Sequence, residues 1–125
     1  MGWSLFPARY WVMVENGLSE DTVIIQCEGT KIKMPAVAIP VKNSYNFSIY
    51  TYMLTHHSME CTVTRPNVKG ETVTFLAFDD SIHFIDHRCG ARHCHWKAAD
   101  DGIYLFNYRK NRYNFVTGWL DTSNV

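Results

Sequence analysis

The chain has 125 residues, and its 12 lysines and arginines balance its 12 aspartates and glutamates, so the formal net charge is zero with neutral histidines. This length predicts one domain over residues 1–125 that is large enough to bury a core, and the 46% apolar and 14% aromatic content argues against disorder. The balanced charge excludes a broad basic surface, and no run approaches the ~18 apolar residues of a membrane helix, so we expect neither a nucleic-acid partner nor membrane insertion.

Alternation of apolar and polar residues with a period of two dominates the chain, and turn residues separate most of the alternating segments. In chain order the predicted strands are residues 9–15, 22–28, 31–34, 36–41, 44–50, 58–64, 72–78, 82–86, 93–98, 103–109 and 113–116. Some of these segments will merge or prove to be loop. We therefore expect an all-β fold, an antiparallel two-sheet β-sandwich of about seven to nine strands.

The apolar segment at residues 3–14 is not a convincing signal peptide, because it is short, contains Arg9 and lacks a small-residue cleavage site. Two interpretations follow. The chain is cytosolic, or it is a mature secreted chain from which a signal peptide has been removed.

The four cysteines are an even number, which allows two disulfides and three connectivities. Alternation places Cys27, Cys61 and Cys94 on the core-facing sides of their predicted strands, and Cys89 in a loop. Because Cys27 and Cys94 face the core and flank Trp96, we predict a Cys27–Cys94 disulfide, which leaves Cys61 with Cys89. The alternative is a local Cys89–Cys94 bridge, which closes a very short loop and is expected to pull Cys94 out of the core.

Histidine and cysteine are concentrated in thirteen residues, and zinc binds such side chains in tetrahedral sets. The set is His83, His87, Cys89, His93, Cys94 and His95. The two cysteines of this set are not matched by a second pair with the spacing of a zinc site, so we expect no metal and no cofactor. A cytosolic zinc- or thiol-dependent module is the lesser alternative. A cysteine nucleophile needs a free thiol, and the sequence has no phosphate loop or hydrolase motif. We therefore expect no enzymatic activity.

The sequence contains one N-glycosylation sequon, at Asn46 and Ser48. In the predicted strand 44–50, the alternation directs Asn46 away from the apolar set of Tyr45, Phe47 and Ile49. We therefore predict glycosylation at Asn46, with an ordinary outward asparagine as the alternative.

The order Cys94-x-Trp96, a short polar spacer, Asp101-Gly102 and an apolar strand resembles the plant self-incompatibility S1 family of S-protein homologues, most closely the poppy stigma S proteins. Cys27, Cys61 and the segment 45–48 also match the family's pattern. Two departures are the segment 28–31, which replaces an acidic run, and Tyr104, which stands where many members have a cysteine.

The resemblance implies a small, secreted, extracellular β-sandwich protein without enzymatic activity. For the poppy members it implies a pistil ligand that a cell-surface membrane receptor on self pollen recognises, followed by calcium signalling and inhibition of that pollen. The alternative is a secreted signalling or defence protein of the same fold with another receptor. We expect a monomer.

A ligand of this kind presents exposed loops on a rigid frame. The candidate receptor-binding residues lie in three loops: Asn67, Lys69, Asp79, Asp80, Ser81, Arg88 and Arg92. Asp79 and Asp80 are the strongest candidates, because one aspartate suffices for a hairpin tip and two favour a cationic partner. A solvated turn is the alternative. We expect alanine at Asp79 or Asp80 to change folding stability by less than ~0.5 kcal/mol.

Overall fold

The computed structural model describes residues 8–29, 32–51, 57–68, 71–80, 89–90 and 92–121. Their strands are β1 (Ala8–Asn16), β2 (Val23–Gly29), β3 (Val37–Ile39), β4 (Ser44–Thr51), β5 (Ser58–Thr64), β6 (Glu71–Asp79), β7 (His93–Ala99), β8 (Gly102–Asn107), β9 (Arg112–Thr117) and β10 (Leu120–Asp121). Without the two-residue β10 there are nine strands, as predicted. The described residues include no helix that could cross a membrane.

The strands form two five-stranded sheets, which confirms the predicted all-β sandwich. The first sheet has the order β4-β1-β7-β8-β9, and the second sheet has the order β10-β6-β5-β2-β3. All neighbouring strands are antiparallel except β1 and β7, which are parallel. β7 lies between β1 and β8 in the first sheet and runs in the same direction as β1.

One of the predicted strands is not a strand of either sheet in the residues that the structure describes. Within the predicted strand 31–34, Lys33 makes only an isolated bridge with Glu28. The predicted strand 82–86 lies outside the described residues.

The core lies between the two sheets, and the alternation predicts its composition correctly. Every second residue of β2, β5 and β7 is buried, as the predicted faces require. Trp96 is the largest fully buried side chain. Its indole packs on the Phe75 ring with 4.6 Å between ring centroids, and its Nε1–H donates to the Ala77 carbonyl at 3.1 Å. Trp96 therefore joins the first sheet to β6 of the second by packing and by a satisfied polar group.

Asn16 ends β1 and is fully buried, although its sequence context predicts a turn. Its Nδ2 group donates to the carbonyls of Ile39 at 2.8 Å and Asp21 at 3.0 Å, and its Oδ1 accepts from the Leu18 N–H at 3.0 Å. A buried amide needs such partners, and these bonds fix the β1–β2 connection and the end of β3.

The disulfides are Cys27–Cys61 and Cys89–Cys94, so the predicted pairing of Cys27 with Cys94 and Cys61 with Cys89 is wrong. Cys27 and Cys61 lie directly opposite each other on β2 and β5, with 4.0 Å between their Cα atoms. Cys94 lies in the other sheet. A tight turn returns Cys89 to within 4.5 Å of it between Cα atoms, and Cys94 stays only 1% exposed. Alternation indicates which side of a sheet a cysteine faces, but not which sheet contains it.

Candidate functional site

The loops of the sandwich are gathered at two opposite ends. At one end β1 and β5 finish and β6 begins; we call it the Asn16 end. At the other end β4 and β6 finish and β5 and β7 begin; we call it the Asp80 end. The strand register thus decides which candidate residues share a surface.

Asp80 closes the β5–β6 strand pair at the Asp80 end. Its Oδ2 accepts a hydrogen bond from the His57 backbone N–H at 2.8 Å and lies 3.3 Å from His57 Nδ1. Its own N–H donates to the His57 carbonyl at 3.0 Å, and its side chain is 15% exposed. Asp79 ends β6 and pairs with Ser58. Residues 81–88, which follow Asp80, lie outside the described residues, so the predicted hairpin tip stays a prediction.

Arg92 also lies at the Asp80 end, in the tight turn closed by the Cys89–Cys94 disulfide. Its φ of 65° is left-handed, its side chain is exposed, and its carbonyl accepts from the Trp11 N–H at 2.8 Å. The turn holds the backbone of Arg92 in place. The structure therefore brings one of the predicted cationic candidates to the same end as the acidic pair.

Asn67 lies at the Asn16 end, away from the other described candidates. It lies after β5 in the β5–β6 hairpin, and its Nδ2 donates to Asp21 Oδ1 of the β1–β2 connection at 3.2 Å. Arg65 pairs with Glu71 at 2.8 Å within the same hairpin, and its guanidinium lies 5.5 Å from the Trp119 ring centroid. A small receptor contact at one end of the sandwich therefore cannot include the candidate residues at the other end. Ser81, Lys69 and Arg88 lie outside the described residues.

Asn46 faces outward on β4 and is exposed, which agrees with the predicted phase of its strand. Its Nδ2 donates to Ser44 Oγ at 3.0 Å. Glycosylation of Asn46 stays a prediction.

Exposed aromatic side chains on the outward side of the first sheet form a surface, which is one of two interpretations of the aromatic residues; the other interpretation places most of them in the core. Trp11, Tyr50 and Tyr108 are 42%, 47% and 44% exposed, although most aromatics are expected in the core. The Arg9 guanidinium carbon lies 5.0 Å from the Trp11 ring and 4.5 Å from the Tyr50 ring. The sequence contains a signal for the exposure of Trp11, because the alternation in β1 places Trp11 on the opposite side of the strand from the buried Val12.

The same outward side contains a titratable group of three side chains. Tyr113 Oη lies 3.3 Å from Glu15 Oε1 and 3.1 Å from His95 Nε2. Burial lowers the pKa of His95, Glu15 raises it in part, and Lys97 lowers it further. Burial and Glu15 raise the pKa of Tyr113 to about 12.

All four cysteines are in disulfides. The cysteine ligands and nucleophile that a zinc- or thiol-dependent module requires are therefore absent. In the described part of the chain, no group of three or more histidine, cysteine or carboxylate side chains is arranged to hold a metal ion.

The family model of plant self-incompatibility protein S1 matches residues 11–119. The chain belongs to the plant self-incompatibility S1 family. The matched region runs from β1 to the residue before β10, and it includes both disulfides and Trp96.

Two curated relatives of this S1-family protein are S-protein homologues of Arabidopsis thaliana. S-protein homolog 1 is 30% identical over 101 residues, and S-protein homolog 74 is 27% identical over 101 residues. Each match covers 80% of this chain and 64% of the relative. The chain therefore spans slightly under two thirds of the length of these relatives.

A solved structure shares the fold of this S1-family protein, with a TM-score of 0.67 at 11% sequence identity. The match covers 94% of this chain and 99% of the solved chain. That structure is described as one of SPH (self-incompatibility protein homologue) proteins, a widespread family of small, highly stable, secreted proteins from plants.

Proposed function

We propose that this S1-family protein is a secreted pistil ligand that a membrane receptor on pollen recognises, and that recognition leads to calcium signalling and inhibition of self pollen. The observation that carries the proposal is the match of the S1 family model over residues 11–119. The two disulfides support secretion, because disulfides persist in oxidising compartments. The fold neighbour is described as secreted, which supports the same location.

The mechanism is recognition by a monomer and involves no catalysis. One disulfide links β2 to β5 and the other closes the turn before β7. Such links hold the nearby loops in a fixed arrangement, which lowers the ordering cost of binding. We assign the receptor contact to the Asp80 end, which carries Asp79 and Asp80 after β6 and the exposed Arg92 before β7. Charges of both signs at one end favour one orientation of a complementary receptor. Ser81, Arg88 and Lys69 stay candidates by their sequence position alone, because they lie outside the described residues, whereas Asn67 lies at the Asn16 end.

Application of oxidised recombinant protein to pollen of matched and unmatched genotype tests the proposal. We expect matched pollen to show a rise in cytosolic calcium and shortened pollen tubes, and unmatched pollen to show neither. Asp79→Ala is expected to weaken the response strongly. The control is Glu20→Ala, which removes the same charge from an exposed site in the loop at the Asn16 end and is expected to act like the wild type.

A secreted signalling or defence protein of the same fold, with another receptor, is the second candidate. The names of the curated relatives favour it, since both are S-protein homologues of Arabidopsis thaliana and not stigma proteins by name. An equal response of matched and unmatched pollen, or no response of either, would contradict the pistil role and favour this second candidate.

A further inference from the structure

The outward sides of the two sheets differ in chemistry. On the second sheet, threonine side chains pair across β5 and β6, with Oγ1–Oγ1 distances of 2.8 Å between Thr62 and Thr74 and 3.3 Å between Thr64 and Thr72. On the first sheet, exposed rings lie on β1, β4, the β8–β9 turn and β9: Trp11, Tyr50, Tyr108 and Phe115. We call this side of the first sheet the aromatic face. Exposed apolar surface of this kind often marks a place where a partner or a cover binds.

The predicted glycosylation site lies on the aromatic face. Asn46 is directly opposite Met13 in the β1–β4 register. It lines a groove of about 320 Å³ together with Trp11, Met13, His95 and Tyr108. This volume is at the lower end of the range for small-ligand sites, and the groove combines apolar rings with a few polar groups, as such sites do.

We propose that Asn46 carries an N-linked glycan whose first N-acetylhexosamine lies in this groove and covers its exposed rings, Trp11 and Tyr108. In the attachment step, an Asn46 Nδ2–H bond is replaced by a bond from Nδ2 to the sugar C1. The C1–O bond to a lipid-linked diphosphate donor breaks, and the lipid diphosphate leaves with the electron pair while the proton is released. The second Nδ2–H stays available for the bond to Ser44 Oγ.

The glycan is the occupant that the geometry favours. A pyranose has an apolar side formed by its axial C–H groups, which suits the faces of exposed rings, and hydroxyl groups at its edge, which suit His93 and His95. Because the sugar is bonded to a residue of the groove, its effective concentration there is high without any gain in intrinsic affinity. A second copy of the chain is a poorer occupant, because it would have to bury the polar Asn46 side chain or its glycan. The inference is independent of the pollen receptor.

The test uses protein secreted from a eukaryotic host, with Ser48→Ala to destroy the sequon and Ser48→Thr to preserve it as the matched control. Intact mass is expected to show one glycan on the wild type and Ser48→Thr, and none on Ser48→Ala. In the glycosylated protein trimmed to a single sugar, we expect nuclear Overhauser contacts from the N-acetyl methyl group to the Trp11 indole or the Met13 methyl group.

Binding of an apolar fluorescent dye is expected to rise at least about twofold in Ser48→Ala relative to Ser48→Thr, because the uncovered rings become accessible. The proposal is overturned if Asn46 is unmodified in secreted protein, or if the attached sugar makes no contact with Trp11 or Met13. It is also overturned if dye binding does not rise in folded Ser48→Ala. Because dimerisation of Ser48→Ala through these rings would hide that rise, sedimentation is measured on the same samples. A wild-type protein that already forms this dimer would overturn the proposal and identify a second copy of the chain as the occupant.

Discussion

Two side chains fix backbone at opposite ends of the sandwich. Asn16 is fully buried and binds backbone groups of the β1–β2 connection and β3. Asp80 binds the backbone and ring of His57 where the β5–β6 pair ends. In each case a short polar side chain satisfies backbone groups that lack a strand partner, which is a common use of asparagine and aspartate.

The position of Asp80 changes the expected effect of its substitution. Asp80→Ala removes the acceptor of the 2.8 Å bond from the His57 N–H, so we expect the free energy of unfolding to fall by about 1–2 kcal/mol rather than by less than ~0.5 kcal/mol. Asp80→Asn keeps an acceptor oxygen and is expected to lose less. Denaturant titration measures the difference, and Glu20→Ala is the control. Wild-type stability of Asp80→Ala would show that the His57 contact contributes nothing.

Because of His95, we expect the free energy of unfolding of the protein to fall in mild acid. Burial is the main cause that lowers its pKa in the folded state, so the unfolded state binds the proton more readily. The stability that neutral His95 contributes is fully present above the unfolded-state pKa of about 6.5. It is lost as the pH falls below that value towards the lowered folded-state pKa. Glu15, Lys97 and Tyr113 face His95, and their charges modify this loss without reversing its sign.

The measurement compares the free energy of unfolding at ~pH 7.5 and ~pH 5.5, on either side of the ordinary histidine pKa. His95→Gln is expected to lose less stability on acidification than the wild type, whereas His93→Gln, an exposed neighbour on β7, is expected to match the wild type. Equal losses in the wild type and His95→Gln would contradict the assignment.

At the scale of elements, alternation predicts the strands and their faces because each strand obeys a local rule. It does not predict which strands are neighbours. Cys27 faces Cys61 only because β2 and β5 pair with that register, and Cys94 meets Cys89 only because a tight turn precedes β7. The parallel β1–β7 pair is a further feature that depends on the path of the chain between sheets.

The two disulfides are expected to differ in their contribution to stability. Cys27–Cys61 joins residues 34 positions apart, and Cys89–Cys94 joins residues 5 apart. In the chain-entropy model the longer loop contributes about 4 kcal/mol and the shorter about 2 kcal/mol. Double alanine replacement of each pair, followed by denaturant titration, tests the order. Peptide mapping that links Cys27 to Cys94 would contradict both assignments.

At the scale of the whole molecule, the sandwich presents two loop-bearing ends, an aromatic face on the first sheet and a threonine-bearing side on the second sheet. The sequence resemblance predicts the family and the fold, and the family match confirms both. The candidate site is predicted less well, because the sequence groups Asn67 with Asp79, whereas the strand directions place them at opposite ends. Residue type alone does not predict the exposure of Trp11, because tryptophan is highly buried on average.

Binding of labelled, oxidised protein to intact pollen tests most directly the central claim that this S1-family protein presents its Asp80 end to a pollen membrane receptor. We expect saturable binding to matched pollen and none to unmatched pollen. Unlabelled wild type and Glu20→Ala are expected to displace the labelled protein equally well. Asp79→Ala is expected to displace it at least about tenfold less well, as for the loss of a charge at the contact. Displacement by Asp79→Ala as effective as that by the wild type would contradict the assignment of the contact, and absence of saturable binding to matched pollen would contradict the ligand role itself.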